Sequence, residues 1–260
     1  MTKAGTLREI RKNWQNYALM APFLILFALF TLIPIIYSVV ISFTNFNIFT
    51  TPTFVGWDNY LRMFFDEDVF IIAIRNTLIF ALITGPVSYV LCFVFAWLIN
   101  ELRPKVRAVV TLIFYAPVLS GTAFTVWSFI FSSDQYGLLN GYLMELGILR
   151  EPMGWLTDPA YILFVVIFVQ LWMSLGTGFL SFIAGLQGVD HTLYEAGLVD
   201  GVHNRFQELW YITLPVMKPQ LLFGAVMQIV SSFSVADVSV RLAGFPSTQY
   251  AAETLVTHIM

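Results

Sequence analysis

Several long stretches of this chain carry no charged side chain. Lys12 and Asp58 bracket the first, whose apolar heart runs from Ala18 to Phe43. Arg75 and Glu101 bracket the second, Arg107 and Asp134 the third, Asp158 and Asp190 the fourth, and Lys218 and Asp237 the fifth. The apolar part of the fourth is about Ala160 to Leu186, and the fifth is short. A helix needs about 20 mostly apolar residues to cross a bilayer core. The pattern therefore predicts an all-α, polytopic membrane protein with five transmembrane helices.

Composition excludes the alternatives. Hydrophobic residues make up 58% of the chain and charged ones only 11%, against roughly 25% in soluble domains. Disorder, a coiled coil and an ordinary soluble enzyme do not fit that balance. The net charge of −3 leaves no basic surface for nucleic acid. A lone Cys92 permits no internal disulfide. Lys3, Arg8, Arg11 and Lys12 ahead of the first stretch resemble the start of a signal peptide. That stretch is too long for a signal core, and Pro34 followed by bulky residues makes no cleavage site, so a retained helix is expected. Residues 1–17 read as a cytoplasmic tail and 18–260 as the transmembrane domain.

Orientation follows from lysine and arginine placement. With the N-terminus inside, Lys3, Arg8, Arg11, Lys12, Arg103, Lys105, Arg107, Arg205 and Lys218 are cytoplasmic. Only Arg62, Arg150 and Arg241 fall clearly outside, with Arg75 near the outer end of the second span. The outer loops are acidic, and the fifth span leaves the C-terminus outside. Within the outer segment from Ser132 to Pro159, Leu138, Leu139, Tyr142, Leu143 and Leu146 recur at helical spacing. That segment reads either as an interfacial helix or as a loop packed on the helix ends.

Chemistry-bearing motifs are sparse. There is no Gly-Lys pair and hence no P-loop, no His-Glu-x-x-His, no Cys-x-x-Cys and no Gly-x-Ser-x-Gly. No catalytic residue, metal site or cofactor is expected. No ionisable residue lies deep in the first four spans, which disfavours a proton-coupled transporter.

The most informative segment is the loop at about 187–218, between the fourth and fifth spans. Thr192 with Glu195 fits a capping box, and Gly201 is suited to end that helix at positive φ. A second short helical stretch carries Phe206, Leu209 and Trp210 and stops at Pro215. Tyr194-Glu195-Ala196-Gly197, Gly201, and then Ile212-x-Leu214-Pro215 resemble the EAA loop of ABC-transporter permease subunits. The wider pattern resembles the carbohydrate-uptake branch, the maltose and glycerol-phosphate type. Ala184-Gly185-Leu186-Gln187, Asn76-Thr77, Pro34, Gly56-Trp57-Asp58-Asn59-Tyr60 and Trp155-Leu156-Thr157-Asp158-Pro159 all fit it. The resemblance spans about Tyr17 to His258.

There are three departures. Gly197 stands where the family pattern has its second alanine. Ten residues separate Gly201 from Ile212, where the pattern has nine. One extra residue would rotate a continuous helix by about 100°, so it is expected in the turn at Val202 to Asn204. The chain also stops at Met260, before a final helix usual in the family, so it is either a fragment or a subunit one helix short.

The resemblance implies a coupling helix that docks on a cytoplasmic ATPase, with Glu195, Ala196, Gly197, Asp200, Gly201, Arg205, Leu214 and Pro215 as coupling residues. Small Ala196 and Gly197 would allow close seating, Glu195 could pair with a base on the ATPase, and Arg205 could hold the loop to the permease. It further implies ABC ATPase subunits, a second permease subunit, an extracytoplasmic solute-binding protein and membrane lipid as partners, in a bacterial or archaeal cytoplasmic (inner) membrane. The function implied is import of a sugar or related polyol by alternating access. A secondary transporter or channel would explain the spans but not the loop.

For the solute path, Gln170, Ser174, Thr177 and Ser181 would share one face of an unbroken helix, near Trp172. Gln228, Ser231 and Ser232 cluster in the fifth span. Uncharged amides, hydroxyls and aromatic rings suit sugars, but the same residues also serve helix packing. Pro117, Ser120 and Gly121 suggest a break in the third span. Asp237 and Arg241, four apart, read as an ion pair or as a contact for an external binding protein.

Overall fold

The computed structural model describes residues 12–47, 49–120 and 123–260, with the side chains of Thr50, Pro117, Leu119 and Thr177 also outside the description. Lys3, Arg8, Arg11 and Gly121 therefore lie outside the described residues. The chain divides into two units, Met1–Asp68 and Val69–Met260.

In the first unit, helix α1 spans Trp14–Ile41. A five-residue π stretch, Ala28–Leu32, ends two residues before Pro34. Proline has no N–H to donate and its ring crowds the carbonyl one turn back, so a wider turn relieves it. Strands β1 (Thr44–Asn47) and β2 (Thr50–Phe54) then pair antiparallel, with Thr44 opposite Phe54. The Gly56–Tyr60 segment clasps the top of α1. Gly56 takes φ +61°, a left-handed turn that favours glycine. The Asn59 amide donates to the carbonyls of Ser42 and Thr44, both at 2.9 Å. Tyr60 Oη lies 2.6 Å from Ser42 Oγ, and the Phe43, Trp57 and Tyr60 rings pack together. Helix α2 (Asp58–Phe65) completes this unit.

The second unit is built on α3, Asp68–Asn100. Its buried side is a line of small residues: Ala73, Thr77, Ala81, Thr84, Ser88, Cys92 and Ala96. They recur at three- and four-residue steps, which puts them on one face, and small side chains let helices approach closely. Leu78, Leu82, Val90 and Leu98 point outward. Then come α4 (Pro104–Leu119), α5 (Ala123–Ile130), α6 (Leu138–Glu145), α7 (Pro159–Met173) and α8 (Thr177–Gln187). The loop helices are α9 (His191–Val199) and α10 (Arg205–Val216). Helices α11 (Lys218–Phe233), α12 (Asp237–Ala243) and α13 (Leu255–Ile259) follow.

Two apolar clusters hold these helices. One joins Phe80, Phe131, Ile162, Val165, Val169, Val238 and Leu242. The other joins Cys92, Ala96, Phe179, Phe182, Leu186 and Met217. Helices α8 and α11 meet through glycines. A Cβ on Gly224 would sit 2.5 Å from the Phe182 ring, and one on Gly185 would sit 2.9 Å from Met217 and Gln220 atoms. Phe182 is itself pinned by edge contacts from Tyr89 and Phe93. Gly224→Ala is therefore expected to cost about 1–3 kcal/mol by overpacking. Phe182→Leu in the same chain should recover part of that, read as thermal unfolding in detergent, and strictly additive losses would show the two sites uncoupled.

Among the described residues, three helices are long and apolar enough to cross a membrane: Trp14–Ile41, Asp68–Asn100 and Pro159–Gln187. A fourth is obtained if Arg205–Val216 and Lys218–Phe233, bent by 80°, count as one span. The expected third span is two helices, α4 and α5, interrupted around Ser120. The expected fourth breaks at Ser174–Gly176. The segment after α11 is not a simple loop, because Val238, Leu242 and Ala252 enter the first apolar cluster. The Asn76-Thr77 pair explains how it is held. The Asn76 amide donates to the carbonyls of Tyr250, Ala251 and Glu253, and Thr77 Oγ1 accepts from the Leu255 N–H at 2.8 Å.

The Ser132–Pro159 segment has features of both readings: it holds a helix, α6, and its Leu139, Trp155 and Leu156 pack against the first apolar cluster. Fully buried Asn140 organises it, accepting from Trp155 Nε1 at 2.8 Å and from the Met153 N–H at 3.1 Å. Asp158 caps α7 by accepting from the Ala160 N–H at 2.9 Å, with Pro159 in the first turn. Proline there loses no helical hydrogen bond. The expected Asp237–Arg241 pair is corrected: the Arg241 guanidinium lies 5.3 Å over the Phe124 ring instead. Packing of α12 beside α5 offers it an aromatic face.

Candidate functional site

The loop after α8 folds into two helices joined by a closed turn. Asp190, not Thr192, caps α9: its carboxylate accepts from the Thr192 N–H at 3.0 Å. The expected capping box is thus replaced by a helix that starts two residues earlier on a carboxylate. An anion at a helix N-terminus also meets the positive end of the dipole. That N–H holds the Asp190 carboxyl below its ordinary value of 3.8. The cap is therefore fully in force above that value and fades as pH falls through the lowered one. Asp190→Asn should keep α9 capped in acid, where the native loop loosens; amide hydrogen exchange across 191–199 measures the difference.

At its other end α9 closes in a Schellman turn. The Val202 N–H donates to the Gly197 carbonyl at 2.8 Å and the Gly201 N–H to the Leu198 carbonyl at 3.3 Å. Gly201 takes φ +91°, as expected of the residue that ends this helix. Asn204 then starts α10 by accepting from the Phe206 N–H at 2.9 Å.

Besides the turn at Val202 to Asn204, where the extra residue is expected, the loop has a second irregular place. Helix α10 widens to a π stretch at Leu209–Thr213. A π turn holds about one residue more than an α turn, so this stretch has room for a surplus residue just before Leu214 and Pro215. The same stretch explains Gly197. That glycine is buried, and a Cβ on it would lie 2.7 Å from Ile212 Cδ1. Its small size serves packing inside the loop, which corrects the expectation that Gly197 presents itself to a partner.

Other contacts fasten the loop to the helix bundle. Arg205 reaches Glu101, just past α3, at 2.9 Å and Glu208 at 3.1 Å. Tyr194 Oη lies 2.9 Å from Thr213 Oγ1, which donates to the Glu208 carbonyl. The Trp97 and Phe206 rings meet at 5.7 Å. What remains outward is Glu195, Ala196 and Asp200, with Pro215 exposed and Leu214 half-buried. Among the described residues Glu195 has no hydrogen bond or ion pair. One face of α9 is thus pinned by its own chain and the other is offered to solvent.

Among the described residues, the solute-path candidates do not line one common pocket: Gln228 and Ser232 share one and Trp172 lines another. The helix expected to carry Gln170, Ser174, Thr177 and Ser181 on one face is interrupted at Ser174–Gly176. The Ser174 hydroxyl donates to the Leu171 carbonyl at 2.6 Å, closing α7, while its own carbonyl accepts from Cys92 Sγ. Gln170 is half-buried, and Trp172 sits edge-on to Trp127 at 5.2 Å. Gln228 and Ser232 are buried and line a groove of about 440 Å³ with Gly85, Pro86 and Tyr89. Ser231 is exposed. Sequence reasoning missed Thr84 and Ser88 on α3. Their hydroxyls are fully buried without a partner among the described residues. Four apart in a helix, they share a face, and that spacing was the available signal.

No family model matches the chain. It is 34% identical over 230 residues to a probable ABC transporter permease protein, YesP, of Bacillus subtilis (strain 168), covering 87% of this chain and 72% of that one. It is 31% identical over 242 residues to the lactose transport system permease protein LacF of Rhizobium radiobacter, covering 90% and 78%. A chain of a bacterial alginate ABC transporter, crystallised with an alginate pentasaccharide-bound periplasmic protein, superposes with a TM-score of 0.75 at 26% identity. That match covers 97% of this chain and 84% of the other. A mainly helical chain with membrane-length helices and a pinned, two-helix loop between the last long ones is thus a transport component rather than an enzyme. It belongs to the ABC-transporter permease proteins.

Proposed function

We propose that this chain is a permease subunit of an ATP-driven importer for a sugar or related polyol. It works in the cytoplasmic (inner) membrane of a bacterium or archaeon, with its N-terminus and the α9–α10 loop on the cytoplasmic side. Five membrane passages in this chain fit the charge distribution, with α4–α5 and α7–α8 as broken passages and α11 as the last. ABC ATPase subunits dock on the loop, a second permease subunit completes the path, and an extracytoplasmic solute-binding protein delivers solute to the opposite end. The observation that carries this reading is α9 itself. A short, doubly capped helix is fastened on one side by Gly197–Ile212 packing and by Arg205–Glu101, and it leaves Glu195 and Ala196 free on the other. A helix that is rigid behind and unpartnered in front can transmit a push. Closure of the ATPases moves α9, and α10 carries the displacement into α11 and, through the Gly224–Phe182 contact, into α8. The sugar assignment leans on the resemblance to LacF and the alginate transporter, and on the uncharged amides and hydroxyls of α7 and α11.

Co-purification tests it. The chain, expressed with its genomic neighbours and extracted in detergent, should bring down a P-loop ATPase and a second permease. Glu195→Arg should release the ATPase, at a loss of about tenfold in apparent affinity, the size of one charge-assisted contact. Recovery of the chain alone, active in ion-gradient uptake, would overturn the reading.

A further inference from the structure

Between the fastened loop and the bundle lies a pocket of about 390 Å³. Helices α3, α4 and α8 form one wall and α9 and α10 the other, and none of the solute-path candidates lines it. Its volume falls in the range of small-molecule sites.

The pocket's charges are already spent. Arg205 is held by Glu101 and Glu208. Arg107 donates to the Asn100 side chain at 2.9 Å and to its carbonyl. Two guanidiniums thus face two carboxylates, which leaves no net cation for an anionic ligand. Hydrogen-bonding capacity remains open. Gln187 and His191 line the pocket, and neither side chain has a hydrogen bond among the described residues. Trp97 adds an aromatic surface. An indole, an open amide, an open imidazole and pre-oriented charged donors and acceptors suit a neutral molecule with many hydroxyls.

We propose that this pocket binds a neutral mono- or disaccharide from the cytoplasm, and that its occupancy restrains the coupling loop. The inference rests on the importer reading above. A ligand touching both walls binds best at one loop position, and such a ligand shifts the equilibrium toward that position. Sugar that has accumulated inside therefore slows ATP turnover.

The experiment uses the purified complex with its ATPase and second permease, in nanodiscs without binding protein. Lactose, maltose and glucose 6-phosphate are the probes. Gln187→Cys places a thiol in the pocket, while native Cys92 is buried. A neutral sugar at millimolar concentration, a binding free energy of about 4 kcal/mol, should slow maleimide labelling of that thiol and lower basal ATPase activity several-fold. His191→Ala should raise the sugar concentration needed by about tenfold, a loss of one good hydrogen bond. Labelling unchanged by lactose and maltose, or protection by glucose 6-phosphate alone, overturns the inference even where the ATPase co-purifies and is active. Absence of an ATPase from the complex overturns the importer reading, and this inference with it.

Discussion

Asn140→Ala is expected to unfold the segment between α5 and α7 and to lower the stability of the extracted protein by about 3 kcal/mol or more. Asn140 is 0% exposed. Its Nδ2 faces the carbonyls of Ser132, Asp134 and Met153 at 3.2, 3.1 and 2.9 Å. Its Oδ1 takes the Met153 N–H and the Trp155 indole N–H. One amide therefore serves both donors and acceptors of an irregular backbone. Alanine would leave those groups buried without partners, and each such group costs about 1–3 kcal/mol. Asn140→Asp separates this account from simple space-filling. Aspartate has nearly the same shape, but it presents only acceptors to three carbonyls when ionised. It should be at least as damaging as alanine. A mild Asn140→Asp variant, judged by thermal unfolding and by proteolysis within 132–158, would show that volume and not hydrogen bonding holds this segment.

The same residue shows what could be read in advance and what could not. Leucine spacing made a helix at α6 a fair alternative, and the long uncharged stretches made a membrane protein certain. Asn140 itself gave no signal, because a buried asparagine that organises a loop looks in sequence like any surface asparagine. Charge gaps overestimated continuity. They report where water is excluded but not whether the backbone stays helical: Pro117, Ser120 and Gly121 signalled the break in the third stretch, but the one at Ser174–Gly176 was hidden inside an apolar run. The Asp237–Arg241 spacing was correct for a helix, yet tertiary packing supplied Arg241 with Phe124 instead. In the loop the signals were stronger. Gly201 declared its own turn, since a positive φ is a local property that glycine alone takes at little cost. Gly197 was visible as a departure, but its reason, Ile212 at its back, depended on a π stretch that no periodicity announced. Thr192 and Asp190 are both good caps, and choosing between them needed the backbone.

Those two glycines lie four residues apart and should fail in different ways. Gly201→Val is expected to reach the membrane in normal amounts and to lose more than about nine-tenths of solute uptake, a change of roughly 1.4 kcal/mol or more in the working state of the loop. Nothing lies within 4 Å of a Cβ built on Gly201. The penalty is therefore not a clash but the strain of φ +91°, about 1–2 kcal/mol for an L-residue and worst for a β-branched one. The Schellman bonds from Val202 and Gly201 cannot form once that residue relaxes to negative φ, and α9 loses the stop that sets its angle to α10. Uptake should fall in the order Gly, Asn, Ala, Val, because asparagine tolerates left-handed backbone better than alanine does. No second-site change that opens space should restore it. Gly197→Ala behaves oppositely: its fault is a methyl against Ile212 Cδ1, so Ile212→Val, which removes that atom, should rescue it. If Gly201→Val imported at the native rate while Gly197→Ala could not be rescued by Ile212→Val, the turn would be a passive connection, and the transmitted push would have to run through the Gly197–Ile212 packing alone.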